Sequence, residues 1–442
     1  MVKSMAVILN LRGGVMLFEH EIPVFDFVSS ISEAIDLVSP VLNSHHKRVA
    51  YIAYSIAKEM NLPKDEVQDI ILAAMLHDIG AFSIAERTKI LSMETGEAEL
   101  NNHALLGYKL LKGFEPLSKA AKLIKHHHTN YGKSYSEVPL GSYIIGLADR
   151  ASVLFNEQRE VIEQVPDILE KISLMYHRFH PGAFAAFLHL MKREYFLIEA
   201  FSPAFGEAGL KKVRFLREII DLEALRSFAK LAAQIIDFRS RFTATHSSGV
   251  AAVALELSIL LGFSERECKL MEVAGFLHDL GKLAVPNYIL EKNGSLDTEE
   301  TNTIRKHTYY TYFVLSRISG LEQVAVWAAY HHERKDGNGY PFHVKGENFS
   351  KLARVMAVAD VVTALTEDRP YRPGMTKEAT ARTLLAMAEA GGLDRDIVNL
   401  TNNNFFRING VRIKAQKEAL KEYGAFYGLA YRDFAESAVR SA

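Results

Sequence analysis

The chain carries two sets of histidines and aspartates that occur in the same order at an almost constant distance. The first pairs lie 201 residues apart, the next 204 and the last 211, so two short insertions distinguish the second copy. The matched positions are His45 and His246, His77-Asp78 and His278-Asp279, His103 and His307, His127-His128 and His331-His332, and Asp149 and Asp360. A fixed period of this kind indicates a duplicated structural unit. We therefore interpret the chain as a tandem duplication, in which both copies adopt one fold.

Both copies have the periodicity of helices. Apolar residues recur three and four positions apart in residues 52–57 and 253–258, and strand-like alternation is nearly absent. Breaks fall at Asn61-Leu62-Pro63, at Gly262-Phe263-Ser264 and at residues 201–206, where we place the junction between the copies. The predicted fold class is all-α, with tandem helical bundles. The predicted divisions are a leader, 1–20, a first domain, 21–200, a linker, 201–222, and a second domain, 223–442, whose residues 414–440 form a helical tail.

Charge and cysteine content exclude several classes of partner and site. The formal net charge is −1, so no overall positive field recruits a nucleic-acid polymer or a membrane surface. No apolar stretch reaches the length of a membrane span, and Met5-Ala6-Val7-Ile8-Leu9 is too short for an export signal, which predicts a cytoplasmic protein. The single cysteine, Cys268, leaves imidazole and carboxylate groups as metal ligands. Such ligands suit iron, manganese or zinc.

The second copy contains a candidate site for two metal ions. His278-Asp279 and His331-His332 are adjacent pairs, and neighbouring residues of a helix point about 100° apart, so each pair can face two directions. Five imidazoles and two carboxylates match the needs of two cations roughly 3.5–4 Å apart, which activate water for phosphoryl transfer. A lone histidine is more often a hydrogen-bonded core residue, but an ordered set in two copies favours metal binding. The candidate ligands are His246, His278, Asp279, His307, His331, His332 and Asp360.

Long motifs around these ligands resemble a known family. His278-Asp279-Leu280-Gly281-Lys282, the stretch from His331 to Pro341, and Arg369-Pro370-Tyr371-Arg372 are similar to the HD-GYP family of the HD phosphohydrolase superfamily. The resemblance spans residues 223–405. It implies HD-type helical bundles, a centre of two divalent ions, with iron or manganese expected, and hydrolysis of cyclic di-GMP to linear pGpG or GMP.

The resemblance also implies roles for individual residues. The seven candidates would bind metal, with Asp279 bridging the ions and serving in catalysis. Lys282 would offset negative charge on the phosphate being cleaved. Arg369 and Arg372, with Tyr340, would bind the substrate, because the arginine fork pairs with phosphate oxygens; ordinary surface charge is the alternative for both arginines.

The loop from Asp336 to Pro341 carries the motif that gives the family its name. Gly337 and Gly339 permit backbone turns closed to other residues, and Pro341 stiffens the exit. The loop would shape the pocket or contact a cyclic di-GMP synthase domain.

One departure from the family concerns the number of metal ions. Members with a third metal carry a glutamate four residues before the first histidine ligand, where this chain has Phe242, so we expect two ions.

The first copy keeps the candidate ligands but not their surroundings. Ala81 stands where Lys282 does, Thr129-Asn130-Tyr131-Gly132-Lys133 replaces the loop, and Arg150-Ala151-Ser152-Val153 follows Asp149 instead of an Arg-Pro-Tyr-Arg motif. Three alternatives stay open: a hydrolase for another phosphate, a regulatory module that binds metal or nucleotide, and a structural relic. We favour a metal-binding domain with a sensory role. Its second metal site would consist of His45, His77, Asp78, His103, His127, His128 and Asp149.

The function expected from the whole sequence is a metal-dependent cyclic di-GMP phosphodiesterase. One alternative is an HD hydrolase of another cyclic dinucleotide or nucleotide phosphate, because the metal ligands do not read the base. The other alternative is a non-catalytic cyclic di-GMP sensor. A homodimer is one of the oligomeric states that stay open.

Overall fold

The computed structural model describes residues 22–37, 44–81, 97–132, 138–156, 158–201, 210, 219–238, 245–292, 294–368 and 373–440. Most of these residues lie in helices, which confirms the expected all-α fold. The helices of the first copy are α1 (Val24–Asp36), α2 (His45–Glu59), α3 (Lys64–Leu76), α4 (Glu97–Leu111), α5 (Ser118–Lys125), α6 (Leu140–Leu154), α7 (Val165–Ser173), α8 (Pro181–Leu190) and α9 (Glu194–Phe201).

The second copy repeats the order of the first and adds a long helix at its end. Its helices are α10 (Leu222–Phe238), α11 (His246–Leu260), α12 (Glu265–Leu277), α13 (Asn287–Leu290), α14 (Thr298–Leu315), α15 (Glu322–Ala329), α16 (Lys351–Thr366), α17 (Lys377–Glu389), α18 (Arg395–Asn403) and α19 (Phe405–Arg440). Short 3-10 helices lie at Glu115–Leu117, Ile162–Gln164, Tyr176–Arg178, Leu280–Ala284, Tyr330–His332 and Gly346–Asn348.

Local sequence explains where these helices begin. Ser264 caps α12 and Asp297 caps α14, each in a capping box with a glutamate three residues later. The breaks predicted at residues 61–63 and 262–264 separate α2 from α3 and α11 from α12. The junction predicted at residues 201–206 lies almost wholly outside the described residues, and Phe242, Arg369 and Arg372 lie outside them as well.

The two copies share one continuous apolar core. Two short strands, β1 (Ile22–Pro23) and β2 (Ile219–Ile220), pair antiparallel, so the start of one copy is bonded to the segment predicted as a linker. Helix α1 packs against α2 and α3 of its own copy, and also against α14 and residues 280–284 of the other. The Phe27 ring of α1 also meets the Phe228 ring of α10, with their centroids 4.7 Å apart. Helix α1 therefore reaches the segment that follows His278-Asp279.

The predicted C-terminal tail lies within α19, which extends to Arg440. It packs mainly on α11, which begins with His246, and also touches α4 of the first copy. Within the described part of the chain, no helix combines the length and the apolar character needed to span a bilayer.

Candidate functional site

The His278-Asp279 pair lies at the end of a helix rather than inside one. Helix α12 ends at Leu277, and the chain continues into the 3-10 helix Leu280–Ala284. Gly281 permits a close crossing with α14, because a Cβ atom there would lie 1.9 Å from the carbonyl oxygen of His307. Thr311 of α14 donates a hydrogen bond to the carbonyl of His278 at 3.0 Å, and its hydroxyl accepts one from the Gly281 amide at 2.9 Å. These contacts fix the pair against the helix that supplies His307.

Three histidines of the second copy are oriented by main-chain carbonyl groups. The Nδ1 atoms of His278, His307 and His331 lie 2.7, 2.6 and 2.7 Å from the carbonyl oxygen three residues earlier in the chain. Nδ1 must carry the proton to donate these bonds, so each Nε2 atom presents a lone pair. This is the orientation that metal-bound histidines usually have.

The Asp279 carboxylate lies between two groups of imidazoles. Its Oδ2 atom is 3.2 Å from Nε2 of His278, and its Oδ1 atom is 3.4 Å from Nε2 of His307. His331 lies on the His307 side, with its Nε2 atom 3.9 Å from Oδ1 of Asp279. A carboxylate with one oxygen toward each group has the placement that bridging two cations requires.

Asp360 completes the arrangement from α16. Its Oδ1 atom is 3.1 Å from Nε2 of His246, and its Oδ2 atom is 3.9 Å from Nδ1 of His332. All seven predicted residues of the second copy are therefore brought together. Their ligand atoms form three overlapping clusters: His246, His278 and Asp360; His278, Asp279 and His331; and His307, His331 and His332.

The charge states of His307, His332 and Asp279 suit divalent cations. Burial lowers the pKa of His307 to about 3 and that of His332 to about 4, so both imidazoles are neutral at pH 7. Burial opposes ionisation of Asp279, but His278 and Lys282 hold its pKa well below the usual range. The Nε2 atoms of His307 and His331 face each other at 3.1 Å although both Nδ1 atoms already donate. Two lone pairs this close repel unless a cation lies beside them, so the residues fit a metal pair.

Lys282 extends the site on the Asp279 side. Its Nζ atom donates to Oδ2 of Asp279 at 2.6 Å. Burial disfavours the ammonium form, but Asp279 raises the pKa of Lys282 above its usual value. A positive charge therefore stays beside the carboxylate at neutral pH.

Glu367 is a part of the site that the sequence argument missed. Its carboxylate lies 3.1 Å from Nδ1 of His246, and Gln416 of α19 donates to it at 3.1 Å. Burial lowers the pKa of His246, but Glu367 and Asp360 outweigh it and raise that pKa to about 10. The signal available in the sequence was spacing, because Glu367 follows Asp360 by two helical turns and so falls on the same side.

The loop after the second histidine pair is held against the site. The buried Glu333 carboxylate accepts hydrogen bonds from the amides of Phe342, His343 and Val344 at 2.6, 3.1 and 3.1 Å. The Tyr340 ring lies 5.1 Å from that of His332. The guanidinium of Arg305 lies 4.4 Å from the centre of the Tyr340 ring. Tyr340 thus lines the site.

The first copy repeats the arrangement around Asp78. Oδ2 of Asp78 is 3.3 Å from Nε2 of His77, and Oδ1 is 3.2 Å from Nε2 of His103. Nε2 of His45 is 3.4 Å from Oδ1 of Asp149. Several of these buried atoms have no hydrogen-bond partner: Nε2 of His45, His77 and His127, and Oδ1 of Asp78 and Asp149. The seven predicted residues form two clusters: Asp78, His103, His127 and His128; and His45, His77 and Asp149.

Comparisons with known proteins assign the class. Family models described as HD domain match residues 43–154 and, separately, residues 230–397. The chain is 30% identical over 392 residues to the 3'3'-cGAMP-specific phosphodiesterase 1 of Vibrio cholerae, an alignment that covers 85% of this chain and 90% of that protein. The chain therefore belongs to the HD-domain phosphodiesterases and contains two HD domains. This finding confirms the resemblance drawn from the motifs.

Two further comparisons concern a relative that matches part of the chain and a solved structure. The cyclic di-GMP phosphodiesterase response regulator RpfG of Xanthomonas campestris is 38% identical over 156 residues, which cover 35% of this chain and 41% of that protein. A crystal structure of a cyclic GMP-AMP specific phosphodiesterase of Vibrio cholerae superposes with a TM-score of 0.61 at 22% identity, covering 91% of this chain and 98% of the other. At this identity the superposition supports the fold alone.

Proposed function

We propose that the second copy hydrolyses a 3'3'-linked cyclic dinucleotide at a centre of two divalent ions, iron or manganese. The observation that carries the proposal is the Asp279 carboxylate, which directs one oxygen to each of two imidazole groups and contacts Lys282. The ions would be held by His246, His278, Asp279, His307, His331, His332 and Asp360. When bound, two such ions activate a water molecule and stabilise the charge of the phosphoryl group in transfer.

The surrounding residues supply charge and position. Lys282 stays protonated beside Asp279 and offsets negative charge on the phosphate that is cleaved. Asp279 serves as a ligand and has no free oxygen with which to act as a base. Tyr340, held by Arg305 and the Glu333 loop, packs against the substrate at the mouth of the site. We further propose that the guanidinium groups of Arg369 and Arg372 bind the phosphate groups of the substrate.

The first candidate substrate is 3'3'-cGAMP. The relative named as specific for it aligns with both copies and the segment between them, over 85% of this chain. A second relative with that specificity in its name, also from Vibrio cholerae, is 24% identical over 424 residues. Shared substrate is the simplest reason for a shared two-copy architecture.

The second candidate is cyclic di-GMP, which the motifs alone favoured. Relatives named for this substrate cover less than half of this chain, with 38% identity over 156 residues in one and 29% over 205 residues in another. The residues around the metal ligands act on the phosphodiester and not on the base. The motifs therefore do not distinguish cyclic di-GMP from 3'3'-cGAMP. Membership in a family of phosphodiesterases disfavours the third alternative, a non-catalytic sensor.

A competition assay tests the proposal. Protein reloaded with iron or manganese without oxygen would receive 3'3'-cGAMP and cyclic di-GMP together, and mass spectrometry would identify the linear products. We expect the adenine-containing substrate to be consumed first, and a variant with His278→Ala and Asp279→Ala to form no product. Faster consumption of cyclic di-GMP would favour the second candidate. Absence of both products with metals confirmed in place would refute the proposal.

We also propose that the first copy holds a second pair of ions. Its orphaned buried atoms, on His77, Asp78 and Asp149 among others, need a partner that the described protein does not supply. Elemental analysis should then find about four ions per chain, against about two if one centre is filled. An Asp78→Ala variant should lose the two ions of the first copy. A total of two ions per chain, unchanged in this variant, would contradict a second centre.

We also propose a protein partner and a cellular location. Lys335 and Asn338 are exposed on the loop held by Glu333 and would meet a cyclic dinucleotide synthase domain. Binding of an isolated synthase domain should weaken on Asn338→Ala, and equal binding would remove this partner. We place the protein in the cytoplasm, which fractionation of cells would test.

A further inference from the structure

A cavity in the first copy opens beside the histidine pair and carries two arginines. Its walls include His127, His128, Arg150 and Arg178, together with the aromatic residues Tyr143 and Phe179. The second copy has no equivalent of this arrangement in its sequence, because Val361 takes the place of Arg150 after the aspartate ligand. The cavity therefore belongs to the part of the first copy that has diverged.

The position of Arg150 follows from a close approach of α6 to the histidine pair. A Cβ atom at Gly146 would lie 2.2 Å from the carbonyl oxygen of His127, so only glycine allows this contact. Residues four apart on a helix lie on one face, which directs Arg150 toward the same segment as Gly146. Arg150 is half-buried there, next to the candidate ligand Asp149.

Arg178 is brought in by a main-chain contact. It ends the 3-10 helix Tyr176–Arg178, and its carbonyl oxygen accepts a hydrogen bond from the Tyr131 amide at 2.9 Å. This bond ties the turn to the loop that follows His127-His128. Among the described residues, no carboxylate forms an ion pair with the guanidinium of Arg150 or Arg178. The N–H groups of both guanidinium groups can therefore donate hydrogen bonds to an anion.

The cavity also has an aromatic part, formed by Tyr143 and Phe179. The Tyr143 ring stacks with that of His180 at a centroid distance of 6.1 Å, and Tyr131 meets Tyr143 edge-on at 5.5 Å. The Phe179 side chain is buried. Aromatic side chains and two guanidinium groups around one cavity favour a ligand with an anionic end and a planar end.

We propose that this cavity binds a small phosphate ester. The phosphate group would lie between Arg150, Arg178 and the His127-His128 edge of the first-copy ligand set, and the organic part would pack on Tyr143. Arginine suits the first task because its planar fork pairs with two phosphate oxygens. Ala81 stands where the second copy has Lys282, so the cavity binds its ligand without the charge that supports hydrolysis. The inference goes beyond the proposed phosphodiesterase activity and does not require it.

The test is equilibrium binding by calorimetry with metal-loaded protein, using a nucleoside 5'-monophosphate and, separately, inorganic phosphate. Arg150→Gln and Arg178→Gln should each weaken nucleotide binding about tenfold or more, the effect of losing hydrogen bonds to a charged group. The control is Arg159→Gln, which removes an exposed arginine paired with Asp167 at 3.1 Å outside the cavity. Metal content and thermal unfolding should be the same in all three variants, which separates lost contacts from lost folding.

The two ligands separate an ester from free phosphate. Nucleotide should bind more tightly than phosphate, and Tyr143→Ala should weaken nucleotide binding while leaving phosphate binding unchanged. Equal affinities for the two ligands would overturn the assignment of an organic part. Nucleotide binding that is the same in the Arg150, Arg178 and Arg159 variants, or no binding with the metals in place, would overturn the site itself.

Discussion

In the first copy Asp78 lies 3.3 Å from His77 and 3.2 Å from His103, and in the second Asp279 lies 3.2 Å from His278 and 3.4 Å from His307. The ligand geometry is thus the same to within a few tenths of an ångström. What differs is charge around it, since the second copy adds Lys282 beside its aspartate. The comparison separates two tasks, because the first copy keeps the candidate metal ligands while it lacks the lysine that we propose to act on the substrate.

The residues behind the ligands differ as well. His246 is oriented by the Glu367 carboxylate, whereas His45 contacts the hydroxyl of Ser152 at 3.2 Å. In the second copy Ser247 donates to Asp237 at 3.0 Å, and in the first the corresponding His46 bonds to Asp36. Partners of this kind tune the affinity of a metal site, so we expect the two centres to differ in affinity more than in geometry.

The largest expected effect is the loss of Asp279. Asp279→Ala removes the carboxylate that faces both imidazole groups, and turnover should fall by about a thousandfold or more. Steady-state hydrolysis and elemental analysis would measure this. Asp78→Ala, the matched change in the first copy, should cost metal but leave hydrolysis measurable. Equal loss in both variants would mean that the copies share one active unit, and normal turnover in Asp279→Ala would refute the mechanism.

The contact between the copies can be broken at Phe228, which packs against Phe27. Phe228→Ala should lower the free energy of unfolding by about 3–5 kcal/mol, because it leaves a cavity in a buried aromatic cluster. Denaturant unfolding would measure this. The control is Glu33→Gln, which weakens the ion pairs of Glu33 with Arg317 and Lys47 and should cost less than about 1 kcal/mol. Separate unfolding steps of the two copies in the unchanged protein would contradict a shared core.

Lys282 tests why the first copy has Ala81. Lys282→Met should lower kcat about a hundredfold, the typical effect of removing one group that stabilises transition-state charge. Metal content should not change, since Lys282 contacts a ligand but is not one. Kinetics and elemental analysis on the same preparation would show both. A kcat within threefold of the unchanged protein would mean that Ala81 does not explain any lack of hydrolysis in the first copy.

The smallest expected effects concern Glu367 and Ser152, which contact the corresponding histidines His246 and His45. Glu367→Gln should weaken metal binding by the second copy about 10–100-fold, as loss of a carboxylate behind a metal-bound histidine does. Ser152→Ala should weaken the first copy about fivefold at most, because a neutral hydrogen bond contributes about 1 kcal/mol. Competition with a chelator would measure both affinities, in the Asp78→Ala and Asp279→Ala backgrounds respectively. Equal effects would show that the two outer contacts are interchangeable.

Sequence reasoning reached the helical fold and grouped histidines and aspartates that the structure brings together, because both leave periodic marks. The offset of His45 and His246 needed no structure to be seen. Glu367 stayed hidden because its role depends on a contact with a histidine 121 positions earlier. The cavity with Arg178 stayed hidden for a similar reason, since Arg178 lies 50 positions after His128 in the chain.

Phe27 and Phe228 occupy the same position in their respective copies, 201 residues apart, and their rings touch each other. Contact between a residue and its own counterpart is what a twofold axis produces in a homodimer. The molecule is thus built as a pseudo-symmetric dimer in one chain, in which the tether keeps the halves at high effective concentration. Once association no longer depends on identical surfaces, either half is free to specialise.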